Sequence, residues 1–399
     1  MVRSKGRLYI CFSNDREIHA NNAERSRLRL GTDEINPMDG DNLPGRVGLI
    51  AGGRESRCTS IARAEFLTCQ KPIIFFANAL GDHLLTRPTV LALTELFEGR
   101  LGYMGVSFSA ERFYPDADFR CICPIAFSDG DSGAHDFEVA SLLSYGSSFD
   151  AIISLNPWHS PLLESVRHAI APKPFVTLGS DSGVLACNPQ PKKDMAANIF
   201  AMAKFFSEDF ELNSFLSVHP ASPEARACAD YIFSELPEGR KVLCVHTWTH
   251  DLKRWPIQRF KEVIAAFILR FPEYVVLVVD PADTELDAGL PVGAVFSCDG
   301  VDLDTATDLV ARSDLFLGID SYFLHVADFS GIPSVGIFGP TDPERWGASY
   351  SPAISLRSGL SPLEVSSDSV LSALVEMAGR DDWERRSRCT HERAFWTFA

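Results

Sequence analysis

A chain of 399 residues, 46% of them hydrophobic, is long enough to bury the cores of two domains. Its net charge of −16 argues against a nucleic-acid partner, and no apolar run approaches the ~18 residues of a transmembrane segment. The expectation is therefore a cytoplasmic enzyme or binding protein, and the ten scattered cysteines read as reduced thiols, neither disulfides nor zinc ligands.

Residues 1–65 are rich in Arg, Asn, Gly and Asp, with a turn region "NPMDGDNLPG" and short strand-like pieces "RLYICF" and "RVGLIAG". They read as an N-terminal extension, a small β element that is partly irregular. From residue 71 short apolar runs alternate with amphipathic stretches: "PIIFFA", a loop and helix through "TRPTVLALTELFEG", then "GYMGVSF", "FDAIISL", "SPLLESVRHAI" and "PFVTLG". After a mostly helical stretch the pattern restarts with "KVLCVHT", "IQRFKEVIAAFILRF", "YVVLVVD", "LFLGID" and "SVGIFG". Strand, helix, strand repeated in this way is the mark of a doubly wound parallel sheet. The expected fold is α/β, with two Rossmann-like domains facing each other across a cleft. The division is an extension over 1–65, a first domain over 66–235, a second over 236–380 and a tail over 381–399.

In open parallel sheets ligands bind beyond the carboxyl ends of the strands, so the loops there carry the candidates. The first is "NALGDHLLTRP" (78–88), where Gly81 permits a tight turn and Asp82 is presented at the strand end. Asp82 either caps the following helix or stands at the cleft mouth to take a proton. In "HTWTHDLKRWP" (246–256), Lys253 and Arg254 adjoin the hydroxyls of Thr247 and Thr249, either as a solvated basic loop or as half of a diphosphate site. After "YVVLVVD", Asp280, Asp283 and Glu285 are candidates to accept from ribose hydroxyls. Last comes "GIDSYFLHVADFSGIPSVGIFGPTDPERWG" (318–347). Here Asp320 and Ser321 fall at a helix N-cap, Tyr322–Ser330 form the helix, and Gly331 closes it in the left-handed conformation ahead of Pro333. The free N–H groups and dipole of that helix favour an anion. The plainer alternative is that Asp320 and Ser321 only cap the helix and His325 packs inside it.

Three separated segments resemble glycosyltransferase family 9, the heptosyltransferases: "ALGDHLLTRPTVLAL", "HTWTHDLKRWP" and "IDSYFLHVADFSGIPSVGIFGPTDPERWG". The resemblance runs from about residue 71 to about 378. It implies the two-Rossmann GT-B architecture and an inverting transfer that needs no metal and no cofactor. The implied sugar donor is ADP-heptose or a related nucleotide sugar, and the acceptor a carbohydrate, lipid-linked, small-molecule or protein hydroxyl. By position, Asp82 would be the general base, in a loop with Asn78 and Gly81 on the acceptor side. Lys253 would neutralise the leaving diphosphate with Thr247 and Thr249 alongside, and Asp320 would contact the donor sugar. Ser321, Tyr322 and His325 would hold the phosphates; Asp283 and Glu285, read from their loop alone, are counted on the donor side with them. The chain departs from the family pattern at Tyr322, where the family has glycine, and at Asp328, where it has alanine. Tyr322 is expected to project outward over the donor pocket. The alternative function is a nucleotide-sugar-binding or scaffolding protein that keeps the GT-B shell without turnover.

Overall fold

The computed structural model describes residues 2–4, 7–9, 63–106, 108–125, 128–129, 135–136, 144–156, 161–178, 185–187, 194–281, 286, 289–291, 293–298 and 300–380. Strands β1 (Val2–Ser4) and β2 (Arg7–Tyr9) form an antiparallel hairpin. The first α/β unit then runs β3 (Pro72–Phe76), α1 (Leu80–Phe97), β4 (Gly102–Val106), α2 (Ser109–Phe113) and β5 (Ile122–Ile125). A short hairpin, β6 (Ser128–Asp129) and β7 (His135–Asp136), interrupts it. It resumes with β8 (Ala151–Ser154), α3 (Pro161–Ile170), β9 (Phe175–Leu178) and β10 (Leu185–Cys187). Helices α4 (Met195–Phe206) and α5 (Pro223–Ser234) lead to the second unit. That unit comprises β11 (Lys241–His246), α6 (Ile257–Arg270), β12 (Tyr274–Val278), β13 (Val295–Ser297) and α7 (Leu303–Ala311). It ends with β14 (Leu315–Ile319), α8 (Tyr322–Phe329), β15 (Ser334–Ile337), α9 (Pro343–Trp346), β16 (Ala353–Leu356) and α10 (Ser367–Ala378).

The first sheet has the order β10-β9-β8-β3-β4-β5 and is parallel throughout. The second is β1-β2-β13-β12-β11-β14-β15-β16, parallel except within the β1–β2 hairpin. Strands such as Pro72–Phe76 and Leu315–Ile319 are buried at every residue, as a parallel sheet covered on both faces requires. In each sheet the strand order reverses direction beside the first strand of its α/β unit, between β3 and β8 and between β11 and β14. A crevice opens at such a switch point. Asp82 follows β3, Lys253 follows β11 and Asp320 follows β14, so all three belong to switch-point loops or helices.

One apolar cluster runs through both units, joining Leu84, Leu85 and Val90 of α1 to Phe323, Leu324 and Val326 of α8. Helix α4 packs on α1, whereas α5 packs on α7 of the second unit. No helix among the described residues is long and apolar enough to cross a membrane.

Two expectations change. Helix α1 starts at Leu80 and carries Pro88 in its interior, so Asp82 is a first-turn helical residue and not part of a loop. Gly81 is likewise helical and has no left-handed φ, so it makes no tight turn. The first residues, for their part, join the second sheet, where β2 pairs parallel with β13 through Arg7 and Ser297. The run "RVGLIAG" and the tail over 381–399 lie outside the described residues.

Candidate active site between the two sheets

Helix α8 is set up as the sequence suggests at its far end. The Gly331 N–H bonds to the Asp328 carbonyl at 3.1 Å and the Ile332 N–H to the Ala327 carbonyl at 2.8 Å, with Gly331 at φ +70. This is a Schellman closure. At the near end Ser321 is extended and makes no side-chain cap; the Leu324 N–H bonds to the Ser321 carbonyl at 3.2 Å, which leaves the N–H groups of Tyr322 and Phe323 without a side-chain cap. The Ser321 Oγ and the His325 Nδ1 are buried and find no partner among the described residues. Buried polar atoms without partners cost stability, and here they cluster at one helix end.

Asp320, buried ahead of this helix, does not cap it either. Its Oδ2 accepts from Lys253 Nζ at 2.7 Å and from Thr341 Oγ1 at 2.5 Å. Lys253 reaches it from a single 3-10 turn, Asp251–Lys253. Arg254 turns back on its own loop instead. Its Nε donates to the Thr249 carbonyl at 2.7 Å, its Nη1 pairs with Asp251 at 3.0 Å, and its guanidinium lies over the Trp248 ring.

Asp82 approaches from the first unit. Helix α1 packs on α8, and a methyl built on Gly81 would lie 3.6 Å from the His325 ring and 3.8 Å from the Tyr322 Cα. Asp82 is an acid in the first turn, where the helix dipole lowers a carboxyl pKa. Burial nonetheless pushes it up to about 6, opposed by the Ala79 N–H and by Lys253 and helped by Asp320. The same burial pushes the His325 imidazole down to about 4, with Asp320 raising it and Lys253 lowering it further. At neutral pH His325 is therefore an uncharged hydrogen-bonding group. Asp82, Lys253, Asp320, Ser321 and His325 are the members of the predicted set that the structure gathers.

Others are placed elsewhere or committed. Both Asp280 oxygens are occupied: the Thr247 N–H donates at 2.7 Å and its Oγ1 at 2.5 Å, and His246 Nδ1 is 3.0 Å away. Thr247 and Asp280 thus clamp β11 to β12, and the Thr247 hydroxyl proton is not free for a ligand. Thr249 is half-buried, with its carbonyl taken by Arg254. Asn78 is half-buried between β3 and α1. Asp283 and Glu285 lie outside the described residues.

The Tyr322 side chain does not project over the mouth. It is buried, with its hydroxyl 3.1 Å from Thr307 Oγ1 and 3.5 Å from His219 Nδ1, and its ring edge-on to Phe113 at 6.1 Å. His219 in turn lies 3.4 Å from Asp304, which also pairs with Arg112 at 3.7 Å. The ring is thus spent on the seam between the units. Asp328, the other departure, is a buried carboxylate that accepts the N–H groups of Ser349, Tyr350 and Ser351 at 2.9, 2.8 and 2.7 Å. Tyr350 donates its hydroxyl to Asp194, the N-cap of α4. Thr341 was missed in the sequence although it stands inside the "FGPTDP" segment.

No group of three or more His, Cys, Asp or Glu placed to hold a metal occurs among the described residues. Residues 187–367 match the family described as Glycosyltransferase family 9 (heptosyltransferase). No curated protein matches the sequence. Among solved structures, a glycosyl transferase family 9 protein from Veillonella parvula is 17% identical, with a TM-score of 0.61 over 77% of this chain and 97% of its own. The E. coli ADP-heptose lps heptosyltransferase II is 16% identical, with a TM-score of 0.56 over 77% and 98%. E. coli heptosyltransferase WaaC, solved with ADP, is 16% identical, with a TM-score of 0.53 over 77% and 99%. The fold shared with these proteins is GT-B.

Proposed function

Starting from a glycosyltransferase of GT-B fold whose residues 187–367 match family 9, we propose an inverting transfer from a nucleoside-diphosphate sugar that uses no metal. ADP-heptose or a close relative is the sugar donor, as for the heptosyltransferases it resembles in fold. Asp82 removes the proton of an acceptor hydroxyl. The freed oxygen attacks the anomeric carbon from the face opposite the diphosphate, and the bond from that carbon to the diphosphate oxygen breaks. Lys253 and the uncapped N–H groups of α8 take up the charge that develops on the leaving group, with Ser321 Oγ and neutral His325 as further hydrogen-bonding partners.

The observation that carries this reading is the Asp82 carboxyl. It comes from the opposite unit to Lys253 and Asp320, feels both of them, and is held by burial near pH 6, where a base for neutral-pH chemistry is effective. The alternative of a shell without turnover loses its main support, because the Tyr322 ring packs in the seam. The test is a panel of ADP-, UDP- and GDP-sugars, ADP-heptose included, assayed for nucleoside diphosphate release with and without sugar acceptors. Release from ADP-heptose that is lost in Asp82→Asn supports the reading. No release from any of the panel would overturn it.

A further inference from the structure

Lys253 and Thr341 donate to the same oxygen of Asp320, at 2.7 and 2.5 Å. The two hydrogen-bond donors differ in setting. Lys253 is 30% exposed and Asp320 only 5%. An ammonium has three protons, so with one on Asp320 the others are available toward the cleft. Asp320 has no comparable freedom. A carboxylate this deeply buried depends on hydrogen-bond donors in place of the water it has lost.

Diphosphate binding therefore sets up a competition. Lys253 can offer its other protons to a diphosphate, but each shift toward the cleft lengthens its bond to Asp320, and a carboxylate with no second donor would pull it back. The Thr341 hydroxyl, supplied by the segment after β15, is in place to keep the carboxylate satisfied during that exchange. Resting on the diphosphate reading above, we infer that Thr341 is a positioning residue that retains Asp320 so that Lys253 can be handed over to the diphosphate. A hydroxyl suits this role because it donates one short bond and brings no charge of its own to compete for the phosphates. In this role Thr341 acts through Asp320.

The experiment is calorimetric titration of the full chain with ADP, in four variants beside the wild type. Thr341→Val keeps the shape and removes the donor, and should weaken ADP binding about tenfold, the scale of one hydrogen bond to a charged group. Thr341→Ser restores the hydroxyl and should bind within about twofold of the wild type on the same scale. In an Asp320→Asn background there is no buried charge to retain, so adding Thr341→Val should change nothing further. A loop that merely packs badly would lower affinity equally in both backgrounds, and that result would overturn the inference. So would wild-type ADP affinity in Thr341→Val, or failure of Thr341→Ser to rescue. If the wild type itself binds none of ADP, UDP or GDP, the diphosphate reading falls and takes this inference with it, an outcome distinct from loss of the Thr341 effect alone.

Discussion

Replacing Asp82 with Asn separates a catalytic base from a helix cap, because the two roles predict opposite changes in stability. A carboxyl moved from 3.8 to about 6 in the folded chain costs about 3 kcal/mol at pH 7, at about 1.4 kcal/mol per tenfold. The sign follows from the direction of the shift. The folded state disfavours the charged form, so the cost is present above pH 6 and fades as pH falls toward 4. Asn carries no charge and escapes it, while losing the acid's favourable place in the first turn of α1, worth about 0.5–1 kcal/mol. The net gain is about 2 kcal/mol, which for a chain of this size raises Tm by about 2 °C. Turnover should meanwhile fall ~10²- to 10⁴-fold. The wild-type rate should rise with pH through about 6 and level off, and the residual rate of the variant should show no such step. Scanning calorimetry at pH 7.5 and pH 4 beside a nucleoside diphosphate release assay reads all of these. A variant that turns over at the wild-type rate and melts lower would return Asp82 to the role of a cap.

Lys253→Ala should weaken ADP binding about tenfold or more, whereas Arg254→Ala, whose guanidinium is folded onto Trp248 and Asp251, should stay within about twofold; calorimetry compares them. Tyr322→Gly should lower unfolding free energy in urea by about 3–5 kcal/mol through the cavity left in the seam. The ratio of rates with ADP-heptose and a hexose donor should remain as in the wild type, since the ring is buried away from the solvent. Tyr322→Phe should lose only about 1 kcal/mol, the share of the Thr307 hydrogen bond. Transfer should survive EDTA and gain nothing from added Mg²⁺, as initial rates under the two conditions will show.

Local signals carried the architecture. The buried runs and their spacing mark both parallel sheets, and Gly331 with Pro333 marks the end of α8, because these depend on neighbours within a turn or two. The start of α1 was harder. Pro88 reads as a helix beginning, but His83, Leu84 and Leu85 one turn upstream are buried and draw the helix back to Leu80. Tyr322 misleads for a related reason: a residue at a helix mouth is expected to face outward, yet Phe113 and His219 arrive from remote segments and cover it. Thr247 looks available until Asp280, 33 residues on, closes over it. Thr341 and Asp328 depend on partners 21 residues away that only the β15 crossover brings near. Side chains whose meaning lies in pairs this far apart show no periodicity to read.

The two positions at which α8 departs from the family 9 pattern also change what it does mechanically. Its first residue, Tyr322, is held against Phe113 and His219, and near its end Asp328 grips the Ser349–Ser351 backbone whose Tyr350 reaches Asp194. An eight-residue helix is only about 12 Å long, so both of these ties fall within one short rod. The seam is also tied along that rod, by α1 packed on α8, and beside it, by Arg112 paired with Asp304. Held at both ends and along its side, α8 fixes Ser321 and His325 relative to the first turn of α1, where Asp82 stands.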